Sequence, residues 1–232
     1  MNFLKLSLIT ASLLLIGCGS SSDDGGSDAP EATTIEKAES NFKAFGGAMS
    51  SSQELKNQNT KMKQLAKTES GSCTHGGTFS MSLSEDETNM NMSFNNCKFD
   101  DTYIDGTMIM TEYDDYHYKM EMKNLTMKDS ENDLYFKNLA LEENELEYWS
   151  TIDGDMNINS KCFTGKYNFT TLERLIETQD ASDNLESGKL KLNGAIYTFN
   201  NPNVTIEVAG KTKTILQTEL DEQMTSETTC KE

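Results

Sequence analysis

The stretch Tyr-His-Tyr-Lys-Met-Glu-Met (residues 116–122) alternates large apolar side chains with polar ones over its whole length. Successive side chains of an extended chain point to opposite faces, so this pattern places the two tyrosines and two methionines on one dry face. Phe-Ser-Met-Ser-Leu (79–83) and Met-Asn-Met-Ser-Phe (90–94) repeat the alternation. The chain after Gly71 is therefore predicted to form half-buried antiparallel strands.

Polar, turn-prone clusters separate these strands at residues 84–88, 112–115, 129–133 and 142–145. Their spacing is typical of a meander of hairpins. We expect residues 70–232 to form one mainly β domain. Its architecture is predicted to be a single curved antiparallel meander sheet, an incomplete barrel or sandwich-like.

One short segment recurs four times. Each copy has an apolar residue, Lys or Asn, then Asn, two further positions and another apolar residue: Phe94–Phe99, Met122–Met127, Phe136–Leu141 and Phe199–Val204. The apolar positions change parity across the Asn, as a β-bulge requires, and Asn tolerates the unusual dihedral angles of a bulge. A second repeat pairs Ile104–Met108 with Ile152–Met156, and its Asp-Gly step indicates a turn. Repeated bulges predict strong curvature.

Residues 35–66 are predicted to be a helical segment. Ile35, Ala38, Phe42, Phe45 and Met49 follow one another at steps of three and four, which suits one face of a helix. The Gly-Gly pair at 46–47 and the serines at 50–52 are expected to break or bend it. We expect this segment to cover part of the apolar face of the sheet.

The first residues form a secretory signal. Lys5 precedes an apolar stretch, residues 6–16, which is shorter than the roughly 20 residues of a membrane span. The stretch ends in Leu-Ile-Gly-Cys (15–18), which resembles the lipobox of bacterial lipoproteins. That resemblance implies removal of residues 1–17, acylation of Cys18 with fatty acids such as palmitate, and anchoring in a membrane outside the cytoplasm. An ordinary secretory peptide with a chance cysteine is the alternative.

The position after Cys18 is Gly19, whereas Asp there retains enteric lipoproteins in the inner membrane. The resemblance therefore implies the outer membrane, facing either the periplasm or the cell surface. Residues 18–34 contain almost no apolar side chain beyond the anchor, so they are predicted to be a flexible tether.

The chain is strongly acidic. Its formal charge is −18, from 20 basic and 38 acidic residues, and loss of Lys5 with the signal leaves −19. Such a surface repels phosphate, so nucleic acid is not an expected partner, and membrane contact is expected through the acyl anchor.

Four cysteines remain beyond the anchor, and an even number in an oxidising compartment predicts two disulfides. We predict Cys73 with Cys97, because a hairpin with its tip near residues 85–86 folds between them, and Cys162 with Cys230. A metal site at Cys73-x-His75 is the alternative, although one close pair cannot fill a tetrahedral shell.

Three Met-x-Met pairs stand out: Met90 and Met92, Met108 and Met110, Met120 and Met122. Each places two thioethers on the same side of a strand. Flexible thioethers fill the core of a curved sheet well, and this is the expected role. Clustered thioethers also suit a soft ion such as Cu(I), which is the functional alternative.

Catalytic signals are few. The histidines are His75 and His117, and neither belongs to a metalloprotease, nucleophile-elbow or phosphate-loop motif. The acidic turns at 85–87, 100–101, 114–115 and 153–155 match no calcium-binding loop and are expected to be solvated. We expect no cofactor, no resident metal and no enzyme activity, unless an ordered pocket pairs a histidine with a carboxylate.

The leading hypothesis is a membrane-anchored, non-enzymatic envelope protein that binds or scaffolds. A carrier of an acyl chain or other apolar ligand is the first alternative, similar in general shape to the half-barrel carriers of lipoprotein sorting. A Met-rich Cu(I) binder is the second.

Overall fold

The computed structural model describes residues 31–51, 70–99, 102–130, 132–160, 164–178 and 184–220. Predicted features that lie outside these ranges are the signal, Cys18, most of the tether, the second half of the helical segment, Cys162 and Cys230.

The described chain contains helix α1, twelve strands and four helical residues, 217–220, after the last strand. In order they are α1 (Ile35–Ser51), β1 (Ser70–Ser72), β2 (Thr78–Leu83), β3 (Asn89–Phe99), β4 (Thr102–Glu112), β5 (His117–Lys128), β6 (Asn132–Asn144), β7 (Trp149–Ser160), β8 (Thr164–Glu177), β9 (Leu185–Leu192), β10 (Ala195–Asn200), β11 (Asn203–Val208) and β12 (Lys211–Leu216).

The strands form a single antiparallel sheet in sequence order, from β1 at one edge to β12 at the other. The sheet is not closed. This confirms the predicted mainly β fold with a single antiparallel meander sheet. The predicted turns at 84–88 and 112–115 are also confirmed. The turn expected at 142–145 lies later, because β6 continues to Asn144 and β7 begins at Trp149.

Three of the four repeated Asn segments are bulges. The register shifts between Phe94 and Cys97, and between Phe136 and Asn138. On β5 the extra residue lies at Asn124, opposite the β4 shift between Asp105 and Thr107. Asn96 and Asn124 both have a φ of +49°, which confirms why Asn occupies these positions. The bulge prediction was wrong for the fourth segment, because residues 201–202 form the turn between β10 and β11.

The repeated Asp-Gly step does not form turns, so that prediction was wrong. Gly106 lies within β4 and Gly154 within β7. A Cβ on either glycine would overlap a carbonyl oxygen of the neighbouring strand, of Asn124 and Asn138 respectively. Glycine is required because the bulged strand brings its backbone too close for a side chain.

Helix α1 packs on the C-terminal part of the sheet, as the sequence predicts. Phe42 lies 4.9 Å from Tyr197 between ring centroids, and Phe45 lies 4.8 Å from Phe169. The Tyr197 hydroxyl, itself buried, donates to the Ala38 carbonyl oxygen at 2.6 Å. The helix contacts β9, β11 and β12. It continues through the glycines at 46–47 to Ser51, so the helix is not broken there.

One face of the sheet carries a continuous hydrophobic core, and we call it the inner face. Ile104, Leu125, Phe136, Phe169 and Leu192 are each at most 1% exposed. Along β5 the inner residues Tyr118, Met120 and Met122 alternate with the outward polar residues His117, Lys119 and Glu121, as a half-buried sheet requires.

Candidate functional site

The methionines form two cross-strand rows on the inner face. In the first row, Met81, Met92, Met108 and Met122 lie directly opposite one another on β2 to β5. In the second row, Met90, Met110 and Met120 do the same on β3 to β5, with Leu83 at one end and Leu141 at the other. We call these the methionine rows. Directly opposed residues have Cβ atoms about 5 Å apart, which is close enough for neighbouring methionine side chains to contact one another.

The rows run from the core toward the surface. Met108 and Met122 are buried, at 6% and 4% exposure. Five further methionines are half-buried: Met81, Met90, Met92, Met110 and Met120. Of these, Met92 and Met120 pack against the core. Leu83, at the end of the second row, is 45% exposed. The core interpretation is therefore confirmed for Met108 and Met122, and Met92 and Met120 pack against the core. For Met90 and Met110, which are half-buried, it stays a prediction.

A polar row lies beside the second methionine row, at the end of strands β4 to β8. Glu112, Tyr118, Glu143, Ser150 and Leu175 lie opposite one another there, on the inner face. We call this the rim row. It sits two residues from Met110, Met120 and Leu141 along their strands, a distance of about 7 Å.

Tyr118 and Glu143 are paired within the rim row. The Tyr118 hydroxyl donates a hydrogen bond to Oε2 of Glu143, which is 3% exposed. Burial, and then the charge of Glu143, raise the pKa of Tyr118 far above its ordinary value, with Glu145 and Glu177 adding to the rise. The phenol therefore stays protonated and keeps donating to a buried carboxylate.

The rim row was not predicted. The sequence places Tyr118 on the dry face, but it assigns Glu142–Glu145 to a turn. The missed signal is parity: Leu139, Leu141 and Glu143 alternate in one strand. A carboxylate at an inward position of a strand is the feature that could have revealed it.

His117 lies on the opposite, outer face, as its alternation with Met120 and Met122 predicts. Its Nε2 is 2.8 Å from Oε1 of Glu142. Its ring contacts Tyr113 at 4.5 Å and the edge of Trp149 at 5.3 Å. The pair supplies the close carboxylate that the enzyme hypothesis requires, and the described ring contacts of His117 are the aromatic side chains of Tyr113 and Trp149.

Trp149 is buried on the outer face beneath a cation. The Arg174 guanidinium carbon lies 3.7 Å from the Trp149 ring centroid, and the indole nitrogen donates to Oε2 of Glu147 at 2.8 Å. Trp149 is 4% exposed. Its ring is covered on the face by Arg174 and on the side by His117, so this cluster is a packed structural unit.

The predicted Cys73–Cys97 disulfide is confirmed, with a Cα–Cα distance of 5.5 Å. It joins the segment before β2 to β3, and both residues are buried. His75 lies in the turn between β1 and β2, and its backbone N–H donates to the Lys98 carbonyl oxygen. The Cys162–Cys230 disulfide and acylation of Cys18 remain predictions.

Among the described residues, no group of three or more His, Cys, Asp or Glu side chains could hold a metal ion. At the predicted acidic turn 85–87, Asp86 Oδ1 accepts hydrogen bonds from the Ser84 hydroxyl and from both the backbone and the hydroxyl of Thr88. These hydrogen bonds lower the pKa of Asp86. The Asp86 carboxylate therefore stabilises the turn between β2 and β3.

No known protein family, curated protein or solved structure is significantly similar to this chain. Within the described ranges, no helix is both long enough and apolar enough to cross a membrane.

Proposed function

We propose that this chain is a lipid-anchored protein of the bacterial envelope that binds an apolar ligand on the inner face of its sheet. The proposed cellular location rests on the Leu-Ile-Gly-Cys sequence at 15–18, which supports acylation of Cys18 and residence in the outer membrane. The proposed role is non-enzymatic.

The partly exposed methionine rows carry the binding proposal. A monomeric sheet gains stability by covering apolar side chains, yet Met81, Met90 and Met110 stay partly exposed beside a continuous core. Unbranched thioethers adapt to ligands of varied shape, and binding surfaces use them for that reason. Within the described residues, the main contacts of helix α1 are with β9, β11 and β12, in the other part of the sheet.

This geometry favours a carrier over a scaffold. A scaffold binds another protein through a broad exposed surface. The methionine rows instead lead from the exposed Leu83 to Met108 and Met122, which are buried in the core. An apolar chain placed on the rows would therefore contact the core itself. The analogy to half-barrel carriers supports the same hypothesis, since the sheet of this chain is also unclosed.

Native mass spectrometry of the protein purified from its own membrane tests the proposal. We expect an additional small-molecule mass on the wild-type protein. Met110→Asp should remove it by placing a charge within the second row. Ile109→Asp is the matched control, because Ile109 is the outward neighbour on the same strand. A wild-type protein that carries only its covalent acyl chains, with no added mass under gentle conditions, would contradict the carrier role.

Binding of Cu(I) is the second candidate, and one observation favours it. Met90, Met110 and Met120 lie side by side on three adjacent strands, and all are partly exposed. Three thioethers can therefore converge on a soft ion. Cu(I) titration against a competing chelator tests this: tight stoichiometric binding that is lost in Met110→Leu would support the copper role, and its absence would exclude it.

A further inference from the structure

We propose that the turns between β4 and β5 and between β6 and β7 bind an uncharged polysaccharide chain. The binding surface consists of Tyr113 and Tyr116 on the first turn and Leu146 and Tyr148 on the second. We call it the tyrosine surface. It lies on the turns and not on the methionine rows, so it is a separate site from the one that holds the proposed apolar ligand.

The tyrosine surface is accessible to solvent. Tyr113 is 54% exposed, Tyr116 47%, Tyr148 37% and Leu146 66%. Single exposed apolar residues are ordinary on a protein surface. Here, however, four of the seven large hydrophobic side chains that are exposed among the described residues lie on two adjacent turns. Such a concentration marks an interaction surface.

Backbone hydrogen bonds hold the two turns side by side. The Glu145 N–H donates to the Tyr116 carbonyl oxygen at 2.8 Å, which joins one turn to the other. Within the first turn, Asp114 Oδ1 accepts from the backbone N–H of Tyr116 at 2.9 Å. Within the second, Asn144 Oδ1 accepts from the backbone N–H of Glu147 at 2.8 Å. The backbone that carries the surface is therefore ordered before a ligand binds, which lowers the entropy lost on binding.

The residue types of the tyrosine surface suit a sugar chain. A sugar ring presents C–H groups on its faces and hydroxyls around its edge, and a tyrosine combines an apolar ring with a polar hydroxyl. Each tyrosine has a carboxylate beside it, because residues 113–116 read Tyr-Asp-Asp-Tyr and residues 147–148 read Glu-Tyr. A carboxylate has about four acceptor positions, so it can accept sugar hydroxyls and keep its hydrogen bonds within the protein.

Size and charge favour an uncharged sugar chain over other partners. With about 200 Å² for a tyrosine side chain, the three exposed fractions leave roughly 300 Å² of tyrosine surface. A stable protein interface covers about 800 Å² on each partner, whereas a few sugar rings need much less. The formal charge of −18 disfavours anionic polysaccharides. A narrow, uncharged chain satisfies both conditions.

The attachment of the N-terminal segment places the tyrosine surface away from the proposed anchor. The Ala32 N–H donates to the Asn193 carbonyl oxygen at 2.7 Å, in the turn between β9 and β10. In this meander, that turn lies at the opposite end of the strands from the turns at 113–116 and 145–148. With Cys18 acylated, as proposed, the tether reaches the sheet from the other end. This arrangement favours a partner on the side away from the membrane, and so disfavours lipid.

Isothermal titration of the mature lipoprotein in nanodiscs, with empty nanodiscs as the blank, tests the inference. Cellohexaose and chitohexaose are the uncharged probes, and hexagalacturonate is the anionic one. We expect at least one uncharged hexamer to bind about tenfold more tightly than hexagalacturonate. Failure of both uncharged hexamers to bind, or equal binding of hexagalacturonate, would overturn the inference. Neither result affects the proposed function, because the methionine rows are a different site.

Variants at exposed positions locate the sugar. Tyr116→Ala and Leu146→Ala should each weaken binding of the uncharged hexamer about three- to tenfold, whereas Tyr116→Phe keeps the ring and should stay within about twofold of the wild type. Leu172→Ala is the matched control for Leu146→Ala, because Leu172 is 46% exposed on β8, outside both turns. Melting temperatures should be unchanged in all four. If Leu146→Ala and Leu172→Ala bind identically, the tyrosine surface does not hold the sugar and the inference fails.

Two other occupants of the tyrosine surface are also distinguished. Hexalysine that binds more tightly than either sugar, and that Tyr116→Ala releases, would assign the surface to a basic protein segment. Sedimentation that shows a dimer in the wild type and a monomer in Tyr116→Ala would assign it to a second copy of the chain. Either result overturns the inference.

Discussion

Gly106 on β4 lies directly against the backbone carbonyl of Asn124 on β5, at the point where β5 contains an extra residue. Gly154 and Asn138 repeat the relationship on β7 and β6. The two sequence repeats are therefore two parts of one structural device: an Asn bulge on one strand requires a glycine on the next. Such bulges bend the sheet.

Gly106→Ala should destabilise the fold by more than about 2 kcal/mol, because the Cβ overlaps the Asn124 carbonyl and φ is +125°. Gly76→Ala is a matched control. Its φ is +120°, but nothing lies within 4 Å of the added Cβ. The difference between the two urea-unfolding free energies isolates the overlap. Equal losses would show that β5 moves away and that the close approach is not required.

Much of the sheet could be predicted because alternation and turn residues are local signals. The Asn bulges were predictable from the change of parity within each segment. The glycines opposite them were not, because the atom that demands glycine belongs to another strand. The Asp-Gly step at 105–106 was assigned to a turn for that reason.

The site was less predictable than the fold. Met-x-Met spacing shows that two thioethers share a face, but not that Met92, Met108 and Met122 lie opposite one another. That alignment depends on register, which is set by the hairpin turns and bulges together. Glu143 was missed because its acidic surroundings in sequence, residues 142–145, are typical of an exposed turn.

The Cys73–Cys97 disulfide should contribute about 3 to 4 kcal/mol, given its sequence separation of 24 residues. The double variant Cys73→Ser and Cys97→Ser should therefore melt about 6 to 14 °C lower than the wild type. Using the variant leaves the other cysteines unchanged, which chemical reduction would not. A melting temperature equal to the wild type would contradict the predicted contribution.

Cys18→Ala should abolish labelling by an alkyne analogue of palmitate and release the protein from the membrane fraction, since stable anchoring needs the acyl chains. Cys73→Ser is the control and should keep both the label and the membrane association. Wild-type protein that is soluble and unlabelled would disprove the lipobox assignment.

Alkaline pH should destabilise the protein through its buried tyrosines. Burial raises the pKa of Tyr167 to about 12, and burial with Glu143 raises that of Tyr118 further. An unfolded tyrosine titrates near about pH 10, so above that pH the unfolded state loses protons that the folded state retains. The contribution of these tyrosines to the free energy of unfolding should therefore be constant below about pH 9 and fall as the pH rises beyond about 10.

Tyr118→Phe separates this contribution. At pH 8 it should be about 1 to 3 kcal/mol less stable, because Glu143 loses its donor, and the deficit should narrow by pH 11. Tyr116→Phe, at an exposed position, should match the wild type at both pH values. A deficit for Tyr118→Phe that stays constant with pH would contradict the assigned burial effect.

Asn41 is a polar residue on the buried side of α1, at 1% exposure, and its Nδ2 has no hydrogen-bond partner among the described residues. A buried amide without an acceptor costs about 1 to 3 kcal/mol. Asn41→Leu should therefore raise the free energy of unfolding by about 1 kcal/mol, with a rise of about 2 to 4 °C in melting temperature.

Ser40→Leu, at the exposed neighbouring position of the same helix, controls for helix propensity. Asn41→Ala separates the amide from packing, because it removes the polar group without adding volume. If both Asn41 variants are less stable than the wild type while Ser40→Leu is not, the amide makes a favourable contact and the predicted gain is wrong.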